Sequence, residues 1–207
     1  RDRANINEGG FNLGFKYHGC NCCGTNWSTD IGASYLSNIA DAVGFQNIGA
    51  PTSFGFFGFG NTSASERIDH HVPALDIHSN FSFGNYRLYL EYVNSLKAFT
   101  ANNLNFNYEG ARPSAANIEG AYKFCICNYP SSVAIGYART WQAFALNLPE
   151  QRYSAVFNIS IWRDTIASLE YRYDVNYSSN AFGGGNGPFG WFVPFFPADI
   201  GGSGSQV

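Results

Sequence analysis

Charge is scarce in this sequence. Only 13% of its 207 residues are Asp, Glu, Lys or Arg, about half the roughly 25% of an ordinary soluble domain. With 12 basic against 15 acidic residues and a net charge of -3, there is no basic stripe to neutralise phosphates, which weighs against nucleic-acid binding. No run of about 18 apolar residues occurs, which excludes a transmembrane helix, and helical periodicity is missing throughout. Methionine is absent, and Arg1–Phe11 has neither a basic n-region nor a signal-like apolar core. The chain is therefore expected to be processed or part of a longer polypeptide. Aromatics (17%) and glycine (23 residues) are abundant, which is too much apolar material for a disordered chain. The length suits a single domain over 1–207.

Apolar and polar residues alternate with period two over long stretches, the pattern of β-strands. In Ala115–Ile126 the even positions Ile118, Gly120, Tyr122 and Phe124 oppose Asn117, Glu119 and Lys123. In Ser132–Gln142 Val133, Ile135, Tyr137 and Trp141 oppose Ala134, Gly136, Ala138 and Thr140. Arg139 falls on the apolar side, so it is expected near a strand end, where it can snorkel. Arg152–Trp162 and Thr165–Val175 repeat the alternation, as do Phe11–Tyr17, Leu75–Phe83 and Tyr86–Leu96. Ile31–Ile39 reads as a shorter strand and Ser203–Val207 as a truncated one, giving about nine in all. The expected class is all-β.

Short and long links alternate between these strands. Gly84–Asn85, Asn128–Ser131 and Arg163–Asp164 are short; Lys97–Ser114, Ala143–Gln151 and the Gly/Phe/Pro-rich stretch 176–202 are long. Such asymmetry, with strands of about ten residues, points to an antiparallel up-and-down transmembrane β-barrel, whole or partial. Tyr86, Tyr122, Trp141, Tyr153, Trp162 and Tyr173 would form its interfacial girdles. A soluble β-sandwich also alternates, but its outer faces would carry more Lys and Glu than Ser, Asn, Ala and Gly.

Several stretches resemble the LbtU-family siderophore porins of Gram-negative bacteria. They are Gly32–Asp41, Val72–His78, Leu104–Asn107, Gly110–Ala115, Ala134–Tyr137 with Ala143–Pro149, and Ser160–Asp174. The resemblance covers most of Phe11–Tyr177 and implies the C-terminal half of such a porin. The family's earlier strands, its leader and a closing strand with a terminal aromatic have no counterpart here. The resemblance implies a bacterial outer-membrane protein that passes an iron-siderophore, with the lipid bilayer and a small-molecule ligand as partners. An odd strand count leaves an open edge, so further residues or self-association into a larger complex are expected.

The polar faces supply lumen or ligand-contact candidates: Arg87, Glu91, Asn117, Glu119, Lys123, Asn158, Glu170, Arg172 and Asp174. Charge in a barrel wall requires water or a partner charge, and mixed signs on neighbouring hairpins allow pairing across strands. Taken singly, each residue reads more simply as part of a salt-bridged interior. Cys20, Cys22, Cys23, Cys125 and Cys127 group at the short-link end. An oxidising compartment favours disulfides among them, with a soft-metal site and free thiols as the alternatives. His78 and Asp76 share a strand face as a hydrolase dyad would, but no G-x-S-x-G marks a nucleophile. Phe182–Pro188 precedes no helical segment and is no phosphate cradle. No enzyme activity, cofactor or resident metal is expected. The second function class is a structural or adhesive β-protein that pairs through its open edges.

Overall fold

The computed structural model describes residues 9–20, 26–39, 71–101, 104–146, 148–162 and 165–184. The expected strand at 203–207, the turn at 163–164 and the loop from 185 to 202 lie outside them. Eight long strands form one antiparallel sheet. They are β1 (Gly10–Cys20), β2 (Asn26–Leu36), β3 (Ala74–Phe83), β4 (Tyr86–Ser95), β7 (Ser114–Ile126), β8 (Tyr129–Trp141), β9 (Gln151–Trp162) and β10 (Thr165–Val175). Two-residue strands β5 (Asn105–Phe106), β6 (Glu109–Gly110) and β11 (Gly183–Gly184) make a second small sheet in the order β11-β5-β6.

In the large sheet each strand pairs with its neighbours in sequence, in the order β1-β2-β3-β4-β7-β8-β9-β10. This is the expected up-and-down antiparallel path, and the eight long strands among the described residues correspond to eight of the nine expected, the ninth lying at 203–207 outside them. Among the described residues the sheet is open: β1 and β10 are its two edges and do not pair with each other.

The alternation of link lengths is present. Short links join β3 to β4 through Gly84 and Asn85, and β7 to β8 through Cys127 and Asn128. Gly84 has φ 55°, which glycine adopts at no steric cost. Cys127 and Asn128 have φ 47° and 69°, the two positive values of a type I′ hairpin. This turn lies one residue earlier than the expected Asn128–Ser131, and Pro130, which lacks a ladder donor, sits near the start of β8. β2 also starts earlier than expected, at Asn26 rather than Ile31. In its N-terminal half Thr29 interrupts the apolar alternation between Trp27 and Ile31, and the neighbours are polar, so that half carries little hydrophobic signal.

The buried core is not between sheet faces. It is a small cluster at the long-link end, where Val72, Phe99, Leu104 and Ala111 pack with Ile39, Phe106, Ala145 and Leu146 around them. Backbone bonds Phe99 N→Ala111 O (2.8 Å) and Ala111 N→Leu104 O (2.8 Å) tie it together. A Cβ at Gly110 would collide with the Phe99 carbonyl, so only glycine permits this close approach. Among the described residues no helix is long and apolar enough to cross a membrane.

Candidate functional site

Directly opposed residues in an antiparallel sheet point to the same side, so the register defines two faces. One carries Phe11, Leu13, Phe15 and Tyr17 of β1 against Tyr35, Ala33, Ile31 and Thr29 of β2. It continues through Ile77 and Phe81, then Tyr92 and Leu88, Ala116 and Gly120, and Arg139 and Ile135. It ends on Tyr153, Ala155 and Phe157 of β9 and Tyr173, Tyr171 and Leu169 of β10. Arg139 is the one charged residue of the eight strands on this face. It sits two residues from the end of β8, 5.4 Å over the Trp141 ring and 3.6 Å from Glu150. That is the end position expected of a snorkelling arginine.

The apolar face is exposed: Leu13 is 73% accessible, Ile135 67% and Leu169 72%. Its aromatics gather toward both ends. At the short-link end Tyr17 contacts Trp27 (4.9 Å), and Tyr86 contacts Tyr122 (4.7 Å). At the long-link end Phe11 meets Tyr35 (5.6 Å) and Tyr137 meets Tyr153 (5.1 Å). Mostly aliphatic and small residues fill the band between, with the aromatics Phe15, Phe157 and Tyr171 among them.

The opposite face carries every other charged strand residue and is mostly half-buried in the central strands. All nine lumen candidates lie on it. One row across the sheet runs His78, Glu91, Asn117, Ala138, Arg152 and Asp174. The next runs Lys16, Asp30, Asn80, Tyr89, Glu119, Gly136, Ser154 and Arg172. Arg87 and Glu170 share a third row with His18, and Lys123 and Asn158 a fourth with Ser132 and Ser168.

Several candidates are drawn together. Arg152 donates through Nε to Asp174 Oδ1 at 2.7 Å and through Nη2 to Oδ2 at 3.1 Å, while Arg172 Nε lies 3.4 Å from Oδ2. Two guanidinium groups thus share one carboxylate across the β9–β10 pair. Asn158 donates to Ser132 Oγ (3.3 Å) and accepts from Ser168 Oγ (2.6 Å). Glu91 shares its strand face with Tyr89 and stands opposite His78. His78 Nδ1 meets Asp76 Oδ2 at 2.9 Å, and its other ring nitrogen lies over Gly32, 2.5 Å from where a Cβ would stand. Arg87 and Lys123 stand near the short-link end, Lys123 directly opposite Ser132. Arg152, Tyr89 and the Lys16–Asp30 pair (3.0 Å) belong to the same face and were not among the candidates. Strand parity with the residues that were named is the signal that finds them.

Cys125 and Cys127 are free, exposed thiols at the β7–β8 turn. Cys22, Cys23 and the Cys20 side chain lie outside the described residues. Three strands separate β1 from β7 in the sheet. No group of three or more potential metal ligands occurs among the described residues.

The chain is 40% identical over 183 residues, 88% of its length, to the UPF0422 protein lpg2959 of Legionella pneumophila (strain Philadelphia 1). It is 38% identical over 187 residues, 90% of its length, to a UPF0422 protein of Coxiella burnetii. The chain is homologous to these UPF0422 proteins. It spans about a third of their length, 34% of the Legionella and 37% of the Coxiella relative. No family model matches the chain, and no solved structure matches it. Both source organisms of these UPF0422 relatives are Gram-negative bacteria.

Proposed function

We propose that the eight-stranded sheet is part of the wall of a β-barrel in a bacterial outer membrane. Its apolar face lies against lipid, and its polar face lines a water-filled passage for a small hydrophilic solute. The observation that carries this reading is the inversion of the faces. A soluble sheet buries its apolar face and solvates its polar one; here the apolar face is exposed and the charges are on the other side. Eight strands at about 4.8 Å spacing and roughly 33 Å length give an apolar face on the order of 1,200 Å². Monomeric soluble proteins rarely expose more than about 300–600 Å² in one patch.

Strand length and girdles agree with this reading. A membrane-crossing strand needs about 9–11 residues at a tilt near 45°, and the strands have 10–13. Aromatics at both ends of an outward apolar band are what a bilayer interface selects. Long links on one side and short ones on the other match the loops and turns of outer-membrane barrels. The resemblance to LbtU-family porins supplies the solute class, an iron-siderophore, and transport through such a wall uses no covalent chemistry.

The test is refolding into detergent micelles and vesicles. A heat-dependent shift in gel mobility together with ion conductance across a planar bilayer supports the passage. Solubility without detergent, no heat shift and no conductance would overturn it. The two unpaired edges favour a second reading, a structural sheet that pairs with other chains. Detergent-free assembly into filaments is the result that selects it.

A further inference from the structure

This inference rests on the barrel reading and concerns what the polar face holds at its short-link end. One row across the sheet there reads His18, Ser28, Ser82 and Arg87, supplied by β1, β2, β3 and β4 in turn. Each stands directly opposite the next, so the four side chains leave one face at intervals of about 4.8 Å. Lys123 of β7 stands one row nearer the links, where its backbone N–H donates to Asn85 O (2.9 Å). Beyond Arg87 the row continues through Ala121, Ala134 and Val156 to Glu170 on β10. Three small or apolar residues thus separate the donors from the row's carboxylate.

The other cations of this face are paired: Lys16 with Asp30, His78 with Asp76, and Arg152 and Arg172 with Asp174. Among the described residues, the side chains of His18, Ser28, Ser82, Arg87 and Lys123 have no hydrogen bond or ion pair. The nearest carboxylates, Asp30 and Glu119, lie one row toward the long-link end, and Asp30 is engaged by Lys16. A charge in a barrel wall needs water or a partner charge, and here cations and neutral donors gather without an anion.

We infer that this row receives the phosphate group of a water-borne solute. The Arg87 guanidinium presents a fork of parallel N–H donors that matches phosphate oxygens, and Lys123 adds a point charge. The Ser28 and Ser82 hydroxyls donate beside it, and a neutral His18 imidazole still offers one N–H. A carboxylate is satisfied by the arginine fork alone, whereas a phosphate keeps further oxygens for the serines. A cavity of about 530 Å³ opens here, with His18, Asn26, Ser28 and Ser82 in its lining. That is the size of a small-molecule site, with room for a phosphate and a small body carrying it.

The test is phosphorus NMR of inorganic phosphate titrated with the protein in octyl glucoside, a detergent without phosphate, at low ionic strength. The folded parent should broaden the phosphate line, and no broadening overturns the inference. Arg87→Gln should bind about tenfold more weakly or worse, and Ser82→Ala more weakly by a smaller factor. Lys97→Gln, which removes one exposed positive charge beyond the long-link end of β4, should bind as the parent does. Equal losses in Arg87→Gln and Lys97→Gln would reduce the effect to net charge and overturn the site. Glycerol phosphate should compete and acetate should not; equal competition by acetate overturns the phosphate assignment. Competition by phosphatidylglycerol alone would assign the group to a lipid headgroup and overturn the solute. Strand circular dichroism is read for each variant, and Ser82→Ala decides if Arg87→Gln does not fold. Where micelles do not support folding, vesicles of phosphate-free glycolipid carry the same titration. Heat-dependent mobility is scored on the same samples. Binding without a shift keeps the site and sinks the barrel reading, while a shift without binding sinks the site alone.

Discussion

The Tyr177 hydroxyl and Thr140 Oγ1 lie 2.7 Å apart in a buried relay at the long-link end of the sheet. Ala143 N–H donates to the Tyr177 oxygen (3.1 Å), and Thr140 donates onward to the Pro149 carbonyl (2.7 Å), which leaves the Tyr177 proton for Thr140. The Tyr177 ring stands edge-on to Phe106 and Phe144. One side chain thus ties the segment after β10 to the β8–β9 link and the β5–β6 hairpin. Tyr177→Phe keeps the ring and strands the Ala143 N–H, which costs about 1–3 kcal/mol. Faster exchange at the Ala143 amide, with β4 and β7 unchanged, is the expected result; an unchanged amide would contradict the relay.

Burial pushes the Tyr177 phenol above the ordinary tyrosine range, opposed in part by its bonds to Thr140 and Ala143. Because the folded state holds the proton more tightly, the stabilisation is complete below the free tyrosine pKa. It is lost as pH rises through the higher folded value. Loosening of this end on alkaline titration should therefore be weaker in Tyr177→Phe than in the parent. Equal pH dependence in the two proteins would count against it.

Asn117 and Ile118 are adjacent on β7 and point to opposite faces. Ile118→Arg is expected to lower the folded fraction in vesicles by about 2–4 kcal/mol, the midplane cost of an arginine against lipid. Asn117→Arg should cost far less. Equal effects from both substitutions would contradict the face assignment.

Asp174 holds two guanidinium groups with a single carboxylate. Asp174→Asn removes the shared negative charge and leaves Arg152 and Arg172 unpaired on the polar face. In planar bilayers the expected outcome is a shift of ion selectivity toward anions, lost again in the Asp174→Asn, Arg172→Gln double variant. Unaltered reversal potentials would place these residues away from the conducting path.

Much of this was legible in the sequence. β10 was readable to the residue, because Leu169, Tyr171 and Tyr173 alternate strictly with Ser168, Glu170 and Arg172. The start of β2 was not, since Thr29 breaks the apolar alternation between Trp27 and Ile31. The polar face was found as a set, while its pairing was not: which carboxylate meets Arg152 depends on the β9–β10 register, and hairpin register is set by turn geometry as well as by pattern. The Tyr177 relay joins residues 37 positions apart, a distance across which no local periodicity speaks.

Trp27 and Trp141 stand on the apolar face at its opposite ends, so they report most directly on whether that face meets lipid. Variants keeping one of them, with the other tryptophans changed to phenylalanine, would be refolded into vesicles whose acyl chains are brominated at a shallow or a deep carbon. Both tryptophans should be quenched, more strongly by the shallow bromines, as two interfacial girdles require. Absence of quenching in either variant, with the folded protein recovered outside the vesicles, would contradict the lipid-facing wall.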